Sequence, residues 1–146
     1  MLQGGEIAKR FARGGYIACM TRRNAEKLQP LIAEIEAEGG IAYGFASDAR
    51  KEDQVIALVE EIEANIGEID VLVFNIGANV PCSILEETAR KYFKIWEMAC
   101  FGAFLTGREV AKRMVVREHG SIIFTGATAG IRGAANFAAF AGAKHA

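Results

Sequence analysis

The chain has 146 residues, 51% of them hydrophobic and 24% charged, with a net charge of -1. That length carries one domain with a real core, and the composition is that of a globular protein rather than a disordered one. The near-zero charge argues against a general affinity for nucleic acid, and no apolar run approaches the roughly 20 residues that span a bilayer.

The opening MLQGGEIAKRF has no signal-peptide core, so the expected compartment is the cytosol. Ile7, Ala8, Phe11 and Ala12 recur at helical spacing, which predicts a helix from about Gly4 to Arg13 ended by Gly14 and Gly15. YIACM, Tyr16 to Met20, reads as a short buried strand. Asn24 is placed to cap the next helix, whose stripe is Leu28, Leu31, Ile32 and Ile35 and whose end is Gly39-Gly40. A second strand, IAYGFA, follows at Ile41 to Ala46. Val55, Leu58, Val59, Ile62 and Ile66 stripe a third helix stopping at Gly67, and VLVF, Val71 to Phe74, is a continuous apolar run suited to burial on both faces.

A long helical region from Glu87 to Met114 carries Tyr92, Trp96, Ala99 and Ala103 on one face. SIIFT, Ser121 to Thr125, is the fourth strand, and the last helix begins near Ala134. Strands alternating with helices predict parallel strands joined by crossover helices, the doubly wound α/β class, as a single domain over residues 1-146. Cys19, Cys82, Cys100, His119 and His145 are scattered without ligand or disulfide spacing, so no metal site is expected.

Several pieces, in order, resemble the short-chain dehydrogenase/reductase (SDR) family. Gly4-Gly5-Glu6-Ile7-Ala8 is similar to the tail of its glycine motif, with Gly4 at the last motif glycine. Asp48 resembles the family aspartate, Phe74-Asn75-Ile76-Gly77 its Asn-Asn-Ala-Gly turn, and Phe140 to Lys144 its Tyr-x-x-x-Lys. The resemblance implies a Rossmann-type sheet, a nicotinamide cofactor, and hydride transfer to or from a small carbonyl or alcohol. It also implies a homo-oligomer through the helices at 96-114 and 134-146.

Residue by residue, the resemblance places the family's catalytic Tyr on Phe140, its Ser on Ala127, its Asn on Ala99 and its Lys on Lys144. Only the lysine is retained. A phenylalanine neither donates nor accepts a proton, so acid-base catalysis worth roughly a hundred- to ten-thousand-fold is expected to be lost. The cofactor positions implied are Gly4, Arg22, Arg23, Asp48, Asn75, Gly77 and Lys144. Asp48 could equally cap the following helix, and Asn75 and Gly77 are also ordinary turn residues. Thr125 and Thr128 are candidate substitute hydroxyls, with a turn role as the alternative.

Arg22 and Arg23 follow the YIACM strand, where an NAD-preferring domain offers a carboxylate to the ribose. Guanidinium suits a 2'-phosphate, so NADP(H) is expected over NAD(H). Met1-Leu2-Gln3 is too short to supply the strand and turn that precede a phosphate cradle, so cofactor binding is expected to be compromised. The family's first strand and its C-terminal strands are likewise expected to be missing, as in a piece of a longer protein. Two readings stand beside the oxidoreductase: a nucleotide-binding pseudoenzyme, and an interaction fragment without turnover.

Overall fold

The computed structural model describes residues 3–77 and 80–146; Met1 and Leu2, ahead of Gly4, lie outside the described residues. The chain divides into two units, 1–48 and 49–146.

In the first unit, helix α1 (Gln3–Arg13) is followed by strand β1 (Ile17–Arg22), a 3-10 turn (Ala25–Leu28), helix α2 (Gln29–Ala37) and strand β2 (Ile41–Ala46). β1 and β2 pair in parallel, Ile17 opposite Ile41 through to Arg22 opposite Ala46, as strands joined by a helical crossover can. Ala8 and Ala12 of α1, Ala18 and Ala42 of the sheet, and Leu28, Ile32 and Ile35 make its core. The turn out of α2 needs glycine twice. Gly39 has φ +84°, and a Cβ on Gly40 would come within 2.8 Å of Ile35 Cγ2. Asn24 caps as expected, accepting the Glu26 N–H at 3.0 Å, but it opens the 3-10 turn rather than α2 itself.

The first strand differs from the expected Tyr16 to Met20. The Tyr16 N–H bonds to Phe11 O in the cap of α1 (3.2 Å), while the Arg22 carbonyl accepts the Ser47 N–H (3.0 Å). Arg22 is therefore the last residue of β1 and part of its ladder, and only Arg23 follows the strand.

The second unit contains α3 (Glu52–Asn65), β3 (Val71–Phe74), α4 (Ala89–Trp96), a π-helical segment (Glu97–Phe101), α5 (Gly102–Arg117), β4 (Ser121–Phe124), a 3-10 turn (Thr128–Gly130) and α6 (Ala138–His145). β3 and β4 are parallel, Val71 opposite Ser121 through Phe74 opposite Phe124. Val59, Val110 and Met114 form one core cluster with Ile69, Leu72 and Ile122 packed on it, and Ile95, Ala99, Ala139 and Ala143 form another. At the base of the first, the Glu63 carboxylate accepts two bonds from Arg117 Nη1 (2.9 and 3.1 Å) and one from the Ile69 N–H (2.8 Å).

Three expectations are corrected here. The helical region after Thr88 is interrupted by the π segment and runs on to Arg117. The wider π turn shifts the register, so Ile95, Ala99, Gly102 and Leu105 are buried, while Tyr92 is exposed and Trp96 and Ala103 are half-buried. The last helix begins at Ala138, not Ala134, because Asn136 takes φ +67°, which no right-handed helix accommodates. VLVF is half-buried except for Phe74, and Phe124 of β4 is 53% exposed, so neither strand is covered on both faces. Among the described residues no helix is long and apolar enough to cross a membrane.

Candidate functional site

The carboxyl ends of β3 and β4 lie side by side, since Thr125 N–H still bonds to Phe74 O at 3.0 Å one residue past the ladder. α6 crosses these ends. Its residues 140 and 144, four apart, share a face. Lys144 Nζ donates to Thr125 O at 2.8 Å and to Ile76 O at 3.3 Å, so one ammonium ties the segment after β3 to the segment after β4. The same nitrogen sits 6.0 Å from the centre of the Phe140 ring, within reach of a cation–π attraction.

Lys144 is thus not a solvated lysine at a helix end. It is half-buried, and burial lowers its pKa from the ordinary 10.5. An ammonium has three donors; two are engaged with carbonyls among the described residues. Gly77 borders the same space. A Cβ there would lie 3.5 Å from Lys144 Cε, 3.6 Å from Phe140 Cε2 and 3.7 Å from Lys144 Nζ. Ile76 and Gly77 therefore border the space that Phe140 and Lys144 face; Asn75 precedes them in the segment after β3.

The other two family positions hold no polar group. Ala127 is extended (φ -150°, ψ 153°) and caps the Thr128–Gly130 turn, its carbonyl accepting the Gly130 N–H at 2.9 Å. That turn presses on α6: a Cβ on Gly130 would fall 2.9 Å from Lys144 O. Thr128 is exposed and its carbonyl accepts the Ile131 and Arg132 N–H groups, which is the turn role. Ala99, in the π segment, is 5% exposed and packs with Ile95, Ala139 and Ala143, an apolar seam against the neighbouring stripe of α6.

One hydroxyl was missed in the sequence. Tyr92 Oη lies 2.8 Å from where a Cβ of Gly142 would be. Gly142 is two residues from both Phe140 and Lys144, about 200° around the helix, so this phenol faces away from the lysine and does not replace the lost one. The small residue on α6 opposite an aromatic on α4 was the available signal.

The remaining candidates belong to the first unit. Gly4 lies in the first turn of α1, and Arg22 and Arg23 are exposed at the end of β1. Asp48 follows Ser47 just past β2. The N-cap position of α3 is Lys51.

Residues 3–146 match the family described as short chain dehydrogenase. A short-chain dehydrogenase from Rhodopseudomonas palustris is 50% identical, with a TM-score of 0.89 over 97% of this chain and 66% of that one. An NAD+-bound xylitol dehydrogenase is 26% identical, with a TM-score of 0.93 over 97% of this chain and 55% of its own. The 2-dehydro-3-deoxy-D-gluconate 5-dehydrogenase of Formosa agariphila is 33% identical over 110 residues, 75% of this chain and 42% of that protein. The chain spans about half the length of the curated relatives it matches. The α/β Rossmann-like fold is shared with these structures. With nearly the whole described chain matched by that family, this chain belongs to the short-chain dehydrogenase family, whose members are NAD(P)-using oxidoreductases.

Proposed function

We propose that this chain is a nucleotide-binding member of the family whose own proton-handling step is lost, so that it holds NADP(H) with little or no turnover. The observation that carries this reading is the state of α6. Lys144 is held across both strand ends, while the group beside it is a benzyl ring. A bound nicotinamide would supply hydride chemistry; Lys144 would hold the ribose, and Asn75 and Gly77 would floor the site. No residue at 127 or 140 can polarise a carbonyl or move a proton.

The choice of NADP(H) rests on Arg22 and Arg23, exposed at the end of β1 in a stretch, Thr21-Arg22-Arg23, that contains no carboxylate. The substrate class of a longer parent would be a small carbonyl or alcohol. Self-association through the helices at 96-114 and 134-146 belongs to the same reading. It is supported by rings Phe93, Trp96, Phe101 and Phe104 stacked in a row, with Phe104 54% exposed.

Calorimetric titration with NADPH and NADH tests the proposal, alongside NADPH consumption over a carbonyl panel. NADPH should bind more tightly, and Arg22→Ala should weaken it about tenfold while sparing NADH. Steady turnover abolished by Lys144→Ala would overturn the reading in favour of an active oxidoreductase.

A further inference from the structure

The amine that fastens α6 to the strand ends is also a nucleophile, and its surroundings suit a second chemistry. Lys144 Nζ lies 2.8 Å from Thr125 O and 3.3 Å from Ile76 O. An ammonium carries three hydrogens and a neutral amine two, so both carbonyls stay bonded when one proton leaves. That loss puts a lone pair on the nitrogen. Burial moves the balance toward the neutral form. The Phe140 ring, centred 6.0 Å from Nζ, is the neighbouring apolar surface, and neither Ala127 nor Phe140 brings a polar group to hold a substrate hydroxyl or phosphate. Gly77 leaves room for an approach on its side. A Cβ there would stand 3.7 Å from Nζ, in van der Waals contact with it.

We infer that Lys144 is an amine capture site that condenses reversibly with apolar aldehydes, aromatic ones above all. This chemistry is separate from nucleotide holding, because neither a nicotinamide nor the hydroxyls lost at 127 and 140 take part. The step balances with water as the only other reagent. The ammonium gives one proton to water, the nitrogen lone pair forms the N–C bond, and the C=O π pair moves to oxygen, which takes a proton from water. The nitrogen then gives a second proton to water, leaving a neutral carbinolamine. Its hydroxyl is protonated and departs as water while the nitrogen lone pair forms C=N. The product is an iminium that keeps one N–H, enough for Thr125 O, the nearer acceptor. Its positive charge stays beside the Phe140 ring, which favours it. An aromatic aldehyde adds ring-to-ring contact with the same side chain.

The chain is incubated at about pH 7 with benzaldehyde or with glyceraldehyde, each with sodium cyanoborohydride, which fixes the imine as a secondary amine. Mass spectrometry follows each lysine peptide over time. Lys27 and Lys94, exposed at the surface, serve as internal standards for reagent and solvent. Relative to them, Lys144 should react with benzaldehyde at least about threefold faster in the folded chain than in urea, because unfolding returns its pKa to 10.5. Glyceraldehyde should show a smaller advantage. Gly77→Ala should slow Lys144 by about threefold, since its methyl crowds the nitrogen, while the Lys27 and Lys94 rates and the melting temperature hold. Should Gly77→Ala fail to fold, the folded-to-urea ratio in the parent chain decides. A Lys144 rate that is unchanged by unfolding, or unmoved in a folded Gly77→Ala, would overturn the site. Equal advantages with the two aldehydes would overturn the apolar class.

Discussion

Replacing Phe140 by Tyr puts a phenol back beside Lys144, and its titration measures the site without substrate or cofactor. The lysine nitrogen lies 6.0 Å from the ring centre, and both the ring edge and the nitrogen lie within 4 Å of the point where a Cβ of Gly77 would be. A cation at about 4–6 Å lowers an acid's pKa by about 1–3 units. Lys144 is only half-buried, so solvent weakens the attraction, and burial of the phenol opposes it. The net expectation is a midpoint about one pH unit below the ~10 of a free tyrosine. The phenolate absorbance of Phe140→Tyr is read against the parent chain, whose tyrosines are Tyr16, Tyr43 and Tyr92. Adding Lys144→Met should remove the depression. A phenol is an acid, so a lowered folded pKa contributes stability above the unfolded value of ~10 that is lost as pH falls through the folded midpoint. The advantage of Phe140→Tyr over its Lys144→Met double variant should therefore appear between about pH 9 and 10 and grow upward. Identical midpoints with and without Lys144 would refute the view that this lysine is poised over residue 140.

Four further outcomes are expected. Glu63→Gln should cost about 2 kcal/mol in urea unfolding, because it removes the charge from the Arg117 bonds. Burial alone would raise the Glu63 pKa, but the Arg117 and Ile69 hydrogen bonds hold it below its ordinary value. The advantage of the parent over Glu63→Gln should thus hold above about pH 4.3 and vanish as pH falls through the lower folded value. Gly130→Ala should destabilise by about 1–3 kcal/mol, since its methyl meets Lys144 backbone at 2.9 Å, whereas Gly77→Ala should be nearly neutral in the same melt. Restoring the family amide with Ala99→Asn should lower the melting temperature, at about 1–3 kcal/mol, because that seam offers it only Ile95, Ala139 and Ala143. By heteronuclear NMR, Lys144 should titrate below its ordinary 10.5; its folded pKa is lowered, so its contribution to stability rises with pH between the folded value and 10.5.

Much of the fold was legible because its punctuation is local. The second and third strands, Ile41–Ala46 and Val71–Phe74, were read with their true ends, the former following the Gly39-Gly40 stop of the preceding helix. The fourth was read one residue too long, since Thr125 keeps its N–H bond to Phe74 O outside the strand. The π segment Glu97–Phe101 was invisible, since EMACF contains good helix formers and nothing in it announces a wider turn. Asn136 deceived the pattern in the opposite sense: Ala134 and Ala135 favour helix, but the left-handed residue after them does not permit one. The lysine's partners could not be read either. Ile76 and Thr125 contribute main-chain oxygens, which every residue possesses.

Those carbonyls change what the retained lysine means. A lysine kept while its tyrosine, serine and asparagine companions are absent invites the inference of surviving chemistry. Yet here the ammonium satisfies two carbonyls at the ends of different strands, and removing it would leave both short of a donor in a partly buried place. α6 needs that tie, because its apolar contacts are small: Ala139 and Ala143 are its buried side chains. Lys144 therefore has a structural reason to persist that is independent of hydride transfer, and Phe140 suits that role by offering the cation an aromatic face. If this balance is right, Lys144→Met should lower the melting temperature by more than Phe140→Leu does. The reverse order would show that the ring, rather than the ammonium, fastens the helix to the strands.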